Sequence, residues 1–161
     1  MSEYGTQLIE KQRARFLYGL GERQFRNLLS EAQRRSGVTG DNLLSLLERR
    51  LDNVVYRMGL AKSRAQARQI VNHGHLEVNG RAVDIPSARV TPGDVIRISD
   101  RALTQTYFTE LRRSGEVIRH RPPDWIRLNA VDFEATVLTA PGPEHAEAVI
   151  EPQAIVEFYS R

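Results

Sequence analysis

Arg49, Arg50, Asn53, Arg57, Arg64 and Arg68 are the residues of this chain whose type and spacing suggest a common task. Each guanidinium is a planar fork of donors that can grip a phosphate with two hydrogen bonds or stack on a base. A cluster of them points to a polyanionic partner and not to bond-making chemistry. Between residues 49 and 76, six Lys or Arg stand against one acid, Asp52. Of the 23 basic residues 21 are Arg; GC-rich coding alone would give that preference, so the clustering is the stronger signal. Other chemistry is scarce. Histidines fall at 73, 75, 120 and 145, and only the His73-Gly74-His75 pair is close, which leaves a metal site short of ligands. With no cysteine there is no disulfide, thiolate zinc site or cysteine nucleophile. No P-loop, dinucleotide fingerprint or G-x-S-x-G is present, and the carboxylates are scattered among arginines as surface charge. The expectation is a protein that is not an enzyme, with no cofactor, no metal and no small-molecule substrate.

Two helices and a hairpin would have to position these arginines. The first helix is expected from about Asp41 to Gly59, where Leu43, Leu44, Leu47, Leu51, Val54, Val55 and Met58 keep a helical period and form one broad apolar face. Arg49, Arg50, Asn53 and Arg57 fall away from that face. Ser63 and Gln66 have the spacing of a capping box, so the second helix should begin at Arg64. On it Ala67, Ile70 and Val71 make a buried stripe, while Arg64, Arg68 and Asn72 recur every fourth residue on another side. Gly74 can close it in the left-handed conformation. Leu76 and Val78, then Val83 and Ile85, alternate with polar residues around Asn79-Gly80, the strongest short-range hairpin signal. Packing the two apolar faces together would bring Arg57, Arg64 and Arg68 onto one surface.

The rest of the chain supplies a frame. Helices are expected from about Tyr4 to Tyr18, broken by Gly19 and Gly21, and from Glu22 to Ser36, with Phe25, Leu28, Leu29 and Ala32 inward. Lys11, Arg13, Arg15, Arg23, Arg26, Arg34 and Arg35 on these two helices form a second candidate basic patch, or simply a solvated face. After the hairpin, Pro92-Gly93 occupies the centre of a type II turn, followed by a strand at Val95, Ile96 and Ile98. Leu103, Tyr107, Phe108 and Leu111 suggest a further amphipathic helix ended by Gly115. Trp125, Leu128, Val131 and Phe133 read as anchors of extended chain, 140 to 148 as a loop, and Pro152 as a helix start ahead of a docking stripe of Ile155, Phe158 and Tyr159. Charge is uneven: residues 1–127 carry 22 basic and 14 acidic residues, whereas 128–160 carry six acids and no Lys or Arg. The charged N-terminus does not resemble a signal peptide and no apolar run approaches 18 residues, so neither secretion nor membrane insertion is expected; a reducing cytoplasm suits the lack of cysteine.

The stretch LLERRLDNVVYRMGLAKSRAQARQIVNHGHLEVNGRAVDIPSARVTPGDVIRI resembles the S4 RNA-binding module. EKQRARFLYGLGERQFRNLL and the terminal IVEFYSR resemble the flanks of the bacterial ribosomal protein S4 family, so the likeness runs over nearly the whole chain from about Thr6, weakest between Asp132 and Ala148. It implies an α+β protein: a mostly helical lobe made of residues 1–42 and 101–161, plus a module, 43–100, in which a helix pair packs on a small antiparallel sheet. Family members bind the 5′ domain of 16S rRNA early in assembly of the small ribosomal subunit, touch ribosomal protein S5 with a role in translational accuracy, and lie near the path by which mRNA enters. The RNA-binding residues implied in the module are Arg49, Arg50, Asn53, Arg57, Ser63, Arg64, Gln66, Arg68, Gln69, His73, Asn79 and Arg81. The first lobe adds Arg13, Arg15, Arg23, Gln24 and Arg26.

Three departures from the family pattern stand out. The family has an N-terminal extension, often with metal-binding cysteines, and this chain is expected to begin after it. Ala88 stands where the family usually has tyrosine in a P-S-Y-R segment, and the net charge of +3 is low for a ribosomal protein. Two other classes stay open on sequence. S4 modules are attached to pseudouridine synthases and tyrosyl-tRNA synthetases, although the flanks here are short for a catalytic domain. A stand-alone S4-module binder acting on ribosomes, or a DNA-binding helix-turn-helix protein, would also present such a helix pair.

Overall fold

The computed structural model describes residues 1–161. In chain order its helices are α1 (Glu3–Tyr18), α2 (Glu22–Arg34), α3 (Thr39–Glu48), α4 (Leu51–Arg57), α5 (Arg64–Asn72), α6 (Asp100–Leu103), α7 (Thr106–Ser114), α8 (Glu116–Arg119) and α9 (Pro152–Tyr159). Its strands are β1 (Leu76–Val78), β2 (Arg81–Ala82), β3 (Val95–Ile98), β4 (Ile126–Asn129) and β5 (Glu134–Val137). The chain is α+β and divides into two compact units, residues 1–48 with 141–161, and residues 49–140. The expected division had put 43–48 with the module and 101–140 with the chain ends. Residues 101–140 belong to the second unit because β5 pairs with β3 and because Trp125, Phe133 and Val137 enter the same core as Leu51 and Val54.

In the first unit α1, α2, α3 and α9 enclose a core of Ala14, Tyr18, Phe25, Leu29, Leu43, Leu47, Ile150 and Ile155. Each large apolar side chain taken fully out of water contributes roughly 1.5–3 kcal/mol, which is why these spacings decide the packing. Gly19 closes α1 with φ 70. Pro152 abuts Gly40, where a Cβ would come within 2.9 Å of the proline ring, so α9 docks on α3 by virtue of a missing side chain. The segment expected as plain loop contains a 3-10 turn, Pro143–His145. Tyr18 Oη donates to Glu48 at 2.5 Å inside this unit.

The single helix expected over 41–59 is two helices. Arg50 is extended (φ −65, ψ 139) and forms an isolated bridge with Arg89, while Leu51 N–H donates to Ala88 O at 2.8 Å and Val90 N–H to Arg49 O at 3.0 Å. The expected single apolar face is therefore shared out: Leu43, Leu44 and Leu47 enter one core and Leu51, Val54, Val55 and Met58 the other. Ala88 contributes its carbonyl to this junction and its methyl to the second core, so the backbone keeps its role without a tyrosine ring.

The second unit contains a five-stranded antiparallel sheet in the order β2-β1-β3-β5-β4, with α4 and α5 packed together. Asn79 and Gly80 both have positive φ (53 and 81), as a two-residue I′ turn needs. Strand β2 stops at Ala82, and Ile85, expected to alternate inward, is 56% exposed. Gly93 (φ 92) completes the type II turn, whose Asp94 N–H reaches Thr91 O at 3.0 Å. The helix expected around Leu103 and Leu111 is interrupted at Thr104 and Gln105, giving α6 and α7. Trp125 and Phe133 are buried anchors, but Val131 sits in the turn between β4 and β5 and is 67% exposed.

Candidate nucleic-acid interface

Ser63 N-caps α5, its Oγ accepting from Gln66 N–H at 3.0 Å, and Gln66 Oε1 reaches back to Lys62 N–H at 2.7 Å, one residue earlier than a standard box. With its start thus fixed, α5 lies against α4 and turns Arg64 and Arg68 toward Asp52, Asn53 and Tyr56. Arg64 Nε donates to Asn53 Oδ1 at 3.0 Å and its guanidinium lies 4.5 Å from the Tyr56 ring centroid. Arg57 lies 6.0 Å from the same ring, and Arg68 Nε is 3.7 Å from Asp52 Oδ2. Arg57, Arg64 and Arg68 thus share one region, as their spacing implied.

Three of the expected contact residues are inside, Arg64 among them at 9% exposure. Arg50 is 4% exposed and holds Asp52 through both carboxylate oxygens, at 3.1 and 3.0 Å, and Asn53 is fully buried. Their chemistry is positioning: Asp52 carries Arg50 and Arg68, accepts the Asn53 N–H at 2.7 Å, and so sets the helix from which the outer cations project. Asn79 is exposed, yet its side chain ties the hairpin to β3, donating to Asp94 at 2.9 Å and accepting from Val95 N–H at 2.9 Å. Arg49 donates to Val90 O at 3.0 Å. Ser63, Gln69, His73 and Arg81 are exposed, and Arg57, Gln66 and Arg68 are half-buried. Burial, and then His73, hold the His75 imidazole below its usual range. Burial, and then Glu116, push the Tyr107 hydroxyl up, which keeps it a donor to Leu60 O at 2.7 Å.

The residues expected from the N-terminal helices lie in the first unit, mostly engaged with their neighbours. Arg13 pairs with Glu10 at 2.9 Å, and Arg15 and Arg26 with Glu22 at 3.7 and 3.6 Å. Arg23 and Gln24 are exposed. Periodicity overlooked Lys62, Arg119 and Arg121, exposed residues that line a cleft beside Arg57. The run Arg119-His120-Arg121 was a visible signal, but it lies far along the chain from the helix pair it joins.

A capped helix pair and hairpin on a small sheet, presenting arginines with no catalytic constellation, has the build of an S4-domain protein. Residues 49–96 match the S4 domain, and residues 1–48 match the ribosomal protein S4/S9 N-terminal domain. Over all 161 residues the chain is 59% identical to the small ribosomal subunit protein uS4 of Chloroflexus aurantiacus, covering 78% of that protein. It is 54% identical to the uS4 of a Roseiflexus species over 78% of that chain, and 52% identical to that of Herpetosiphon aurantiacus over 76%. The chain belongs to the uS4 family of small ribosomal subunit proteins, which are structural and not enzymes.

Proposed function

We propose that this chain binds the 5′ domain of 16S rRNA and helps nucleate assembly of the small ribosomal subunit in the cytoplasm. What carries the reading is the shared region of Arg57, Arg64 and Arg68, held by Asp52, Asn53 and Tyr56. Guanidinium groups fixed in advance match phosphates drawn together at an RNA junction and lose little conformational entropy on binding. Recognition is of folded shape, since the deep major groove of A-form RNA excludes a helix. Contact with ribosomal protein S5, and through it a role in translational accuracy, is supported by the family resemblance and by the exposed Ile9 and Phe16 of α1, apolar groups suited to a protein partner. A place near incoming mRNA rests on the resemblance alone.

The test is a salt titration of binding to 16S 5′-domain RNA, with tRNA and duplex DNA as competitors. Changing Arg57, Arg68 and Arg81 to Gln should flatten the slope of log affinity against log salt by about two to three units, because each lost phosphate contact releases fewer counterions. A folded variant that keeps the parental slope overturns the assignment and moves the RNA site elsewhere, to the exposed Arg23 of the first unit among other places.

A further inference from the structure

A cleft of about 610 Å³ lies between the end of α4 with its following loop, Tyr56 to Lys62, and the segment from Glu116 to Pro123. Arg57, Lys62, Arg119 and Arg121 line it against a single carboxylate, Glu116. Lys62, Arg119 and Arg121 are exposed and have no ion pair. Arg97 of the same unit shows the contrast, with Glu77 at 3.1 Å, Asp100 at 2.6 Å and Glu134 at 3.9 Å. Like charges left around one cavity repel one another, so an arrangement held this way is most stable with an anion between them.

The walls are built, not incidental. His120 Nε2 donates to the Arg57 carbonyl at 2.7 Å and so ties the second wall to the end of α4. Gly59 has φ +82, and a Cβ there would come within 2.6 Å of His120 Cγ, so the close approach of the two walls needs glycine. Pro122 and Pro123 stiffen the far side. Seven of the eleven lining residues are ionisable, which is the wrong lining for an apolar small molecule, whose pockets are mostly hydrophobic.

The cleft is also continuous with the α4–α5 face. Arg57 belongs to both, and Tyr56, part of the cleft wall, carries the Arg64 guanidinium over its ring. We infer that the cleft holds the ribose-phosphate backbone of the RNA gripped by the α4–α5 face, the strand continuing past Tyr56 to Lys62, Arg119 and Arg121. This rests on the RNA-binding reading above and extends it to residues beyond the matched S4 domain, which ends at 96. Cations bind the phosphates, while the rings of Tyr56 and the two prolines offer faces to sugars or an unstacked base; base sequence is not read here.

The experiment uses the full chain with Lys62, Arg119 and Arg121 changed together to Gln, circular dichroism as folding control, and 16S 5′-domain RNA as the probe. The salt slope should fall by about two to three units, and hydroxyl-radical footprinting should lose one stretch of backbone protection while other protections persist. Arg121→Glu alone, at an exposed loop position, should weaken binding several-fold at low salt. A folded triple variant with the parental slope and full footprint overturns the proposal. So does displacement of the RNA stretch by millimolar inorganic phosphate or AMP, which would make the cleft a small-anion site. Failure of the parent reading looks different: if the Arg57/Arg68/Arg81 variant keeps its slope and the cleft variant loses it, RNA is held by the cleft and not by the α4–α5 face.

Discussion

Residues 1–48 and 141–161 hold eight Lys or Arg against ten Asp or Glu, whereas residues 49–140 hold fifteen against ten. The first unit is thus slightly acidic and the second carries the positive charge of the whole chain. In the first unit, Glu22 alone gathers Lys11 at 2.7 Å, Arg26 at 3.6 Å and Arg15 at 3.7 Å, and Glu31 holds Arg35 at 2.7 Å. In the second, Lys62, Arg81, Arg119 and Arg121 are exposed with no carboxylate partner. Charge counted along the chain suggested a basic body with an acidic end. Folding returns that acidic end to the basic N-terminal helices, where Glu151 N–H meets Glu10 at 3.2 Å and Glu157 accepts from Gln7 at 3.1 Å. A cation's usefulness to a partner depends on what its own fold leaves uncompensated, and by that measure the second unit has more to offer an anion, although Arg23 and Arg34 of the first are also exposed.

The sharpest way to break the comparison is Asp52→Ala. Asp52 and Arg50 have side chains 2% and 5% exposed, and stranding a buried guanidinium typically costs about 3–5 kcal/mol. Melting should fall accordingly. RNA binding gives the diagnostic: removing an acid makes the unit more positive, so charge counting predicts tighter binding, whereas positioning of Arg68 and Asn53 by Asp52 predicts weaker. Affinity should drop in the folded variant at low temperature, and Asp52→Asn, which keeps the shape, should recover part of it. Tighter binding would make the arginines a loose charge cloud and not a built surface.

Next in size is Ile155→Ala in α9. Ile155 is fully buried, and deleting a buried isoleucine side chain costs about 2–5 kcal/mol. The first unit should lose thermal stability while the salt slope for RNA stays at its parental value, because no uncompensated cation of the second unit is touched. A flattened slope in this variant would mean that the first unit carries phosphate contacts after all.

Signals confined to a few neighbouring residues were readable in the sequence. Ser63 with Gln66, Gly74, Asn79-Gly80 and Pro92-Gly93 each name a backbone geometry, and each stands where that geometry occurs. The break at Arg49 and Arg50 was not readable, because the leucine period runs through it and the cause is a bridge to Arg89 far downstream. For the same reason 101–140 was grouped with the wrong neighbours: pairing of Val95 with Thr136 leaves no local trace. In the site, helical period gathered Arg57, Arg64 and Arg68 into one region, but it treats every polar residue as outward, whereas Arg64 is buried. Arg50 points inward because Asp52 gives it a partner there, and Asn53 and Arg64 because they hydrogen-bond each other, which a one-dimensional pattern does not encode.

The smallest expected effect concerns the hub of the first unit. Partial burial pushes the Glu22 carboxyl up, but hydrogen bonds from Lys11 and Tyr159 and the charges of Lys11 and Arg15 outweigh it, so the group sits below its ordinary 4.5. Burial and then Glu22 push Tyr159 the other way, up, so its hydroxyl stays protonated and donates at 3.1 Å. A carboxyl whose folded pKa is depressed contributes stability that is present above pH 4.5 and lost as pH falls through the folded value, because only the unfolded chain holds the proton in that window. Glu22→Gln should therefore melt slightly lower than the parent at pH 7 and show a smaller decline on acidification to pH 3. Screening by solvent keeps this modest, since the Glu22 side chain is 39% exposed. RNA affinity at pH 7 should not change, because the cations that Glu22 holds would become less compensated without entering the second unit's surface. If Glu22→Gln instead tightened RNA binding and steepened its salt slope, the freed Lys11, Arg15 and Arg26 would be phosphate ligands, and Glu22 would be restraining a second RNA-binding patch on the N-terminal helices.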